Sequence, residues 1–257
     1  MTYETITWQV ADGIGRLTFD RPANRNGITG TMMNELHHAV TAASQDPDVR
    51  VLVLTGAGTS FCVGADLKHY SSGAEDPGSG PETFHITRML HDMPAVTIAA
   101  VNGAAAGAGF GWACACDLRF ASDSAVFNSA FLDVAVAGDM AGPWTLPHLV
   151  GAAKARELYF LPGKFDAHEA ARIGLVSDVF EQDRLADEVG LIATRLAGAA
   201  PLALAGMKQN FLDDERLGLG EYIDVETARH QAITDSEDTK EAFSAFVEKR
   251  TPMFKGR

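Results

Sequence analysis

The chain has 257 residues, and 21 basic against 34 acidic side chains give it a net charge of -13 at neutral pH. Hydrophobic residues make up 46% of the chain and charged residues 21%, which excludes a disordered or fibrous protein and leaves enough apolar side chains for a sizeable core. The acidic balance argues against general binding of nucleic acid or of an anionic membrane, but it leaves open a local basic pocket for an anionic ligand.

The cysteines and the first ten residues indicate the cellular compartment in which the protein is expected. The three cysteines form no CxxC pair, which favours a reducing setting over a disulfide scaffold, and the first ten residues show no secretory pattern. We therefore expect a cytoplasmic protein. An uncharged stretch of 24 residues separates Asp92 from Asp117, long enough to cross a bilayer, but Pro94 and Asn102-Gly103 interrupt it. We interpret it as buried core and expect no membrane segment.

The first hundred residues alternate between strand and helix patterns. Asp12-Gly13 between two alternating runs predicts a hairpin with strands Thr5–Val10 and Gly15–Phe19. Apolar residues at helical spacing then predict a helix whose buried face holds Met32, Leu36, Val40 and Ala43. A short strand is expected at Val51–Leu54. The polar, Gly/Pro-rich stretch Ser71–Thr83 is expected to be a mobile loop or lid.

The rest of the chain shifts from mixed to helical patterns. Strands are predicted at Val96–Val101, Leu118–Ala121 and Ala125–Phe127, with an apolar segment at Phe110–Ala115. Helices are predicted at Ala152–Leu161 and Asp166–Ile173, the second with a capping pair, Asp166 and Glu169, and a stop at Gly174. Nearly everything from Leu185 onward is predicted to be helical. We divide the chain into an α/β core, residues 1–195, and a C-terminal helical region, residues 196–257.

Two glycine-containing turns follow short strands and are the sharpest local features. One spans Ser60–Lys68, and the other spans Val101–Gly111. Small residues let a backbone approach a ligand closely, and a turn that opens a helix leaves N–H groups without partners. Two such turns could aim two N–H groups at one oxygen, as an oxyanion hole requires. Spacing alone also allows ordinary tight packing.

A dinucleotide-binding loop is the alternative for the second turn. Gly107, Gly109 and Gly111 follow a strand, but they form GxGxG rather than GxGxxG. Asp123 comes only 12 residues after the last glycine, short of the usual spacing of about 20. The pattern therefore gives little support to a nicotinamide or flavin nucleotide.

Several blocks, in this order, resemble the enoyl-CoA hydratase/isomerase (crotonase) superfamily. The resemblance covers nearly the whole chain and is far more specific than either turn alone. The blocks are Asp20–Asn26, Phe61–Lys68, Pro94–Asp117, Leu146–Gly151, Ala170–Val176 and Glu248–Gly256.

The resemblance implies a fold, a ligand and an assembly. Proteins of this family fold as a spiral of β-β-α units with a C-terminal helical region that forms trimers, often paired into hexamers. They bind acyl-CoA thioesters, so coenzyme A is expected as part of the substrate, with no further cofactor and no metal. The eight histidines show no HExxH pattern or other ligand cluster, in agreement with that expectation.

The resemblance also assigns residues to the site. The N–H groups of Ala65 and Ala108 would hold the thioester oxygen as it becomes an enolate, and fixed donors of this kind are worth about 3 kcal/mol each. Asp66, Leu67 and Lys68 would follow the first donor along the acyl-CoA site. Arg25, Phe254 and Lys255 match positions that meet the CoA nucleotide in the family.

Both glutamates of the family's hydratases are missing. The first would fall at Gly111 and the second at Phe131. Hydration needs one group to activate water and another to deliver a proton, so we expect a poor hydratase.

Asp139 matches a position where several isomerases and a dehalogenase of the family carry a working aspartate. One carboxylate suffices to move a proton between two carbons, and an apolar pocket raises the pKa of such a group. Double-bond isomerisation is therefore the favoured reaction. One alternative is a hydratase with atypical acids, and another is a hydrolytic, decarboxylating or dehalogenating enzyme. In a dehalogenating enzyme Asp139 would be the nucleophile. The third alternative is a non-catalytic oligomer that binds acyl-CoA. Asp133 and His148 are weaker candidates for a supporting role.

Overall fold

The computed structural model describes residues 2–257. Ten strands and eleven α-helices make up the described chain. The strands are β1 (Ile6–Ala11), β2 (Ile14–Phe19), β3 (Val51–Gly56), β4 (Ser60–Cys62), β5 (Val96–Val101), β6 (Ala104–Ala106), β7 (Leu118–Ser122), β8 (Val126–Asn128), β9 (Phe165–Asp166) and β10 (Asp178–Phe180).

The helices concentrate in the second half of the chain. They are α1 (Gly30–Gln45), α2 (Leu67–Ser71), α3 (Ile86–Asp92), α4 (Ala108–Ala115), α5 (Gly142–Val150), α6 (Ala152–Phe160), α7 (Ala167–Arg172), α8 (Leu185–Ala197), α9 (Pro201–Asp214), α10 (Leu219–Thr234) and α11 (Glu237–Glu248). Short 3-10 turns occur at Pro22–Asn24, Pro81–His85 and Leu132–Val134.

The strands form two sheets that are linked by the path of the chain. The larger sheet has the order β1-β2-β3-β5-β7-β10 and the smaller one the order β4-β6-β8-β9. Three successive pairs, β3 with β4, β5 with β6 and β7 with β8, each place one strand in the larger sheet and the next in the smaller one. Each pair is followed by a helix, so the chain winds as a spiral of β-β-α units.

The larger sheet is covered on both faces because its strands alternate their side chains. On β3, Leu52 and Leu54 belong to the core that also contains the buried faces of α1 and α4. Val51 and Val53 point the other way and pack in a second core with α8.

The observed elements match most of the predicted ones. The hairpin turns at Asp12 and Gly13, both with φ above zero (53° and 78°), as an Asp-Gly turn requires. Helix α1 buries all four residues predicted for its inner face. Asp166 caps α7 by accepting a hydrogen bond from the Glu169 N–H at 2.8 Å. The strands β4, β6, β9 and β10 were not predicted, because two or three residues carry little periodicity.

The C-terminal helices contact the core through α9. The Lys208 ammonium is buried and donates to the Ala95 carbonyl at 2.9 Å and to the Asp117 carboxylate at 2.8 Å. The division at residue 195 stays a prediction. In residues 2–257 no single helix is long and apolar enough to span a membrane, and only α8 with α9 reaches that length, across a bend of 105°.

Candidate active site

Three segments of the spiral converge at one edge of the smaller sheet. Strands β4, β6 and β8 are parallel neighbours, so their carboxyl ends lie together, where ligands of α/β proteins commonly bind. The turn after β4 contains Ala65, the turn after β6 leads to Ala108, and residues 129–141 connect β8 to α5. All three line one cavity of about 400 Å3.

The first turn leaves one N–H group free. Gly64 has φ 81°, a left-handed conformation that favours glycine. The Ile28 N–H donates to the Gly64 carbonyl and the Asp66 N–H donates to the Ile28 carbonyl, both at 2.9 Å. This bridge uses the groups on either side of Ala65 and not its own N–H, which has no acceptor within the described residues.

An ion pair fixes the residue that follows. Arg21 lies 3.0 Å from the Asp66 carboxylate, which also accepts the His69 N–H at the start of α2. Burial favours the neutral acid, but the His69 N–H and the Arg21 guanidinium outweigh it and lower the pKa of Asp66. Asp66 and Leu67, both predicted to bind substrate, therefore lie at the site, but the carboxylate of Asp66 is already engaged in holding the turn.

The second turn lies directly against the first. Gly107 has φ 52° and ψ -127°, a combination open only to glycine, and Ala108 begins α4. A Cβ added to Gly107 would lie 3.6 Å from the Gly64 Cα, and one added to Gly64 would lie 3.5 Å from the Ala108 nitrogen. The structure thus brings the two turns into contact, with the Ala108 N–H also lacking an acceptor in residues 2–257. Two free N–H groups at one cavity wall suit an oxyanion.

Asp139 lies in the same cavity as the two N–H donors. One of its carboxylate oxygens is buried and has no hydrogen-bond partner among the described residues. Burial raises the pKa of Asp139. It is the only acidic side chain among the described residues lining the cavity, whose remaining lining is mostly apolar. A carboxyl group held this way is suited to taking up and releasing a proton.

The loop that carries Asp139 is held in an uncommon conformation. Four of its non-glycine residues have φ between 50° and 60°, a region that costs roughly 1 kcal/mol each. These residues are Ala130, Ala135, Met140 and Ala141. The ring of Tyr159 on α6 packs against the loop, 3.4 Å from where a Cβ on Gly138 would lie. Packing from α6 therefore keeps the loop in place.

The two positions of the missing glutamates are occupied in different ways. A Cβ on Gly111 would lie 2.7 Å from the Met140 Cβ, so the loop itself fills that space. Phe131 is buried and stacks on Tyr159 with ring centroids 6.0 Å apart. The packing of Met140 thus excludes a side chain at Gly111, and an apolar ring replaces the acid at Phe131.

A groove of about 680 Å3, with a more polar lining than the cavity, continues from it and shares Val63, Ala65 and Leu67 with it. Arg25, Lys68 and Lys164 contribute three cations to its lining. In the described chain none of them forms an ion pair with a carboxylate. In a protein of net charge -13 these cations favour a phosphate-bearing ligand at this position.

Four of the proposed residues do not join the site within one copy of the chain. Phe254 and Lys255 line neither the cavity nor the groove. Their tail is fastened to α11 instead, where the Lys255 N–H donates to the Asp238 carboxylate at 2.7 Å. His148 lines a separate cavity beside Trp144, and Asp133 is exposed and does not line the cavity that contains Ala65 and Ala108.

Sequence reasoning missed several residues at the site. Lys164 enters the groove from just before β9, and Tyr70 and Phe84 line the cavity. No spacing rule connects these residues to the two turns. Arg21 stands within a block that resembles the family, so its pairing with Asp66 could have been suspected there.

Packing explains both Cys62 and the glycines of the second turn. Cys62 is fully buried and burial raises the pKa of its thiol to about 12, in agreement with its interpretation as a packing residue. A Cβ on Gly109 would lie 2.3 Å from the Cys62 carbonyl oxygen. Gly109 and Gly111 therefore allow α4 to pack closely, which accounts for the glycine pattern without a dinucleotide.

Comparison with known proteins gives the same family along the whole chain. The model of the enoyl-CoA hydratase/isomerase family matches residues 9–257. A probable enoyl-CoA hydratase of Rhodobacter capsulatus is 34% identical over 100% of both chains. The peroxisomal Delta(3,5)-Delta(2,4)-dienoyl-CoA isomerase of Arabidopsis thaliana is 32% identical over 98% of this chain and 96% of its own.

A solved structure shows the same fold. The crystal structure of a putative enoyl-CoA hydratase/isomerase from Mycobacterium abscessus superposes with a TM-score of 0.91 at 34% identity, covering 98% of this chain and 100% of that one. Sequence, spiral topology and the paired turns agree, and we conclude that this chain is an enzyme of the enoyl-CoA hydratase/isomerase, or crotonase, family.

Proposed function

We propose that the enzyme moves a double bond within an unsaturated acyl-CoA, with Asp139 as its single proton-carrying group. The proposal depends on one observation: among residues 2–257, Asp139 is the only acidic side chain that lines the cavity containing the two free N–H groups. The two positions where the hydratases carry glutamates are filled by Met140 packing and by Phe131. Relatives bear both hydratase and isomerase names, so these residues, and not the family, favour isomerisation.

The proposed reaction needs one base and one oxyanion site. Asp139 removes a proton from carbon 2 of a 3-enoyl thioester, and the electron pair moves onto the carbonyl oxygen. The N–H groups of Ala65 and Ala108 stabilise the resulting dienolate without reorganising, since both turns are already in position. The carboxylic acid of Asp139, whose proton exchanges with solvent, then protonates carbon 4 of the dienolate, which leaves the double bond between carbons 2 and 3.

Coenzyme A is proposed to lie in the groove as part of the substrate. Arg25, Lys68 and Lys164 supply positive charge for its phosphates, and the groove meets the cavity beside Ala65. This places the thioester at the junction, with the acyl group in the apolar cavity. No separate cofactor takes part in the proposed reaction.

Substitution of Asp139 by asparagine tests the proposal. We expect Asp139→Asn to slow turnover by about 10²- to 10⁴-fold, the usual contribution of a positioned acid–base group, while CoA-ester affinity changes little. The readout is mass spectrometry of 2-enoyl- and 3-enoyl-CoA esters in deuterated water. Deuterium entering carbon without addition of water supports the proposal. Addition of water by the wild type, or exchange that survives the substitution, contradicts it.

The same variant has an expected effect on stability. Because burial raises the pKa of Asp139, the folded protein takes up a proton more readily than the unfolded chain, and ionised Asp139 destabilises the fold at neutral pH. Asp139→Asn should therefore raise the melting temperature at pH 7. The difference should disappear below the ordinary aspartate pKa of about 3.9. A melting temperature lowered at pH 7 would contradict this account.

We also infer that copies of the chain associate into trimers or hexamers through the C-terminal helices. Large apolar side chains are exposed there, including Phe211 on α9 and Phe246 on α11, which are 75% and 86% exposed. Patches of this kind mark interaction surfaces. Association would also let the tail with Phe254 and Lys255 reach the groove of a second copy. Sedimentation of the wild type beside Phe246→Glu tests this, and a monomeric wild type would refute it.

A further inference from the structure

Asp76 stands out in the loop between α2 and the Pro81–His85 turn. Every other residue from Ser71 to Ser79 is exposed, whereas the side chain of Asp76 is only 13% exposed. The sequence predicts a mobile loop or lid here. In the structure, hydrogen bonds of Asp76 connect the middle of this loop to the body of the protein.

Three groups bind the Asp76 carboxylate. One oxygen accepts the Gly30 N–H at 2.9 Å and lies 2.9 Å from His69 Nε2, and the other accepts the Gly78 N–H at 2.8 Å. Gly30 begins α1, so the negative charge lies where the helix dipole favours it. Burial opposes ionisation, but these bonds outweigh it and lower the pKa of Asp76.

The fit at Gly30 leaves no space for any side chain. A Cβ there would lie 1.9 Å from an Asp76 carboxylate oxygen and 2.9 Å from the Gly78 backbone. Next to this contact, Asn34 Nδ2 donates to the Gly78 carbonyl at 2.9 Å. The loop is therefore seated on the first turn of α1.

These contacts close a ring of bonds that includes the oxyanion turn. Ile28, two residues before Gly30, bridges to the backbone on both sides of Ala65. The Asp66 carboxylate accepts the His69 N–H and caps α2. The His69 ring is hydrogen-bonded to Asp76, and Asp76 accepts the Gly30 N–H. The first N–H donor and the loop are thus parts of one bonded unit.

The same loop forms part of the cavity wall. Ser79 lines the cavity, as do Tyr70 before the loop and Phe84 after it. We propose that Asp76 is a specificity-determining residue, which clamps this wall to α1 so that long acyl groups meet a surface that is already ordered. The proposal rests on the proposed function, since it takes the occupant of the cavity to be an acyl-CoA chain.

Binding of two saturated esters tests the proposal without requiring turnover. We expect Asp76→Ala to raise the Kd of decanoyl-CoA about tenfold, because only a fraction of molecules would then present the ordered wall. The Kd of butyryl-CoA, whose chain fills less of the cavity, should change less than about twofold. Gly30→Ala should reproduce this pattern from the other side of the contact, and Asp76→Asn, which keeps an acceptor for Gly78, should give a smaller effect.

Asp46→Asn is the matched control. Asp46 accepts the Asp48 N–H at 2.9 Å, a local bond like that between Asp76 and Gly78, but at the opposite end of α1. It should leave both affinities unchanged. Hydrogen exchange of residues 71–80 should rise in Asp76→Ala and Gly30→Ala and stay unchanged in Asp46→Asn.

The outcomes separate this proposal from the function on which it rests. If wild type binds neither ester, the proposed function fails and the specificity role fails with it. If wild type binds both esters but Asp76→Ala weakens them equally, or weakens neither, the specificity role alone is refuted. A selective loss for decanoyl-CoA, together with faster exchange in the loop, supports it.

Discussion

The two turns that present the N–H donors are held by opposite means. The Ala65 turn is fastened by polar contacts, namely the Arg21–Asp66 ion pair and the bridge to Ile28. The Ala108 turn opens a helix whose eight residues are all buried and whose glycines leave no room for a Cβ. Packing makes the second donor rigid, whereas polar contacts connect the first donor to the loop above the cavity. The proposed oxyanion site thus combines one turn held by packing with one turn held by polar contacts.

Removing the rigid donor should have the largest effect. Ala108→Pro deletes the N–H at the first position of α4, where a proline is tolerated in a helix. We expect turnover to fall by about 10²- to 10³-fold, the usual cost of one oxyanion donor. Ala152→Pro, at the first position of α6, is the matched control and should keep full activity. Turnover of Ala108→Pro within threefold of wild type would remove Ala108 from the mechanism.

Disturbing the packing behind the rigid turn should act mainly on stability. Gly109→Ala places a Cβ 2.3 Å from the Cys62 carbonyl oxygen, in backbone that cannot easily move. Overpacking of this kind costs about 1–3 kcal/mol, which denaturant unfolding measures. Gly220→Ala on α10 has open space around it and serves as the control. An unchanged midpoint in Gly109→Ala would show that the second turn is not rigid.

Loosening the polar turn should have the smallest and most pH-dependent effect. Asp66→Asn keeps an oxygen to cap α2 but loses the ion pair with Arg21, at a cost of about 1–2 kcal/mol at neutral pH. Since the pKa of Asp66 is lowered in the fold, its contribution is present above the unfolded value of about 3.9 and is lost as the pH falls through the folded value. Unfolding midpoints at pH 7 and pH 3 check this, and a pH-independent difference would argue against the ion pair.

The sequence predicted the elements that depend on neighbouring residues. The Asp12-Gly13 hairpin, the buried face of α1 and the cap of α7 at Asp166 all follow from local rules. The family resemblance predicted how these elements are arranged, as a spiral of β-β-α units. It also located the two turns and Asp139, which the structure places around one cavity.

Other features depend on residues that are distant in the chain. Met140 fills the space next to Gly111, where the family's hydratases carry their first glutamate. The residues around Gly111 in the sequence do not predict this contact. Lys164 joins Arg25 and Lys68 in the groove only because β9 pairs with β8. The loop around Asp76 is polar and rich in glycine, which predicts mobility. In the structure the Asp76 carboxylate is hydrogen-bonded to Gly30, His69 and Gly78.

The sequence by itself determined the family resemblance, most of the longer strands and helices, and the residue types available for chemistry. These properties follow from periodicity, turn residues and motif order, each of which is written in consecutive residues. Tertiary structure alone decided that two N–H groups and one carboxylate share a cavity, and that burial raises the pKa of that carboxylate. Distance and burial depend on how the three units of the spiral stack, and no single segment of the chain contains that information.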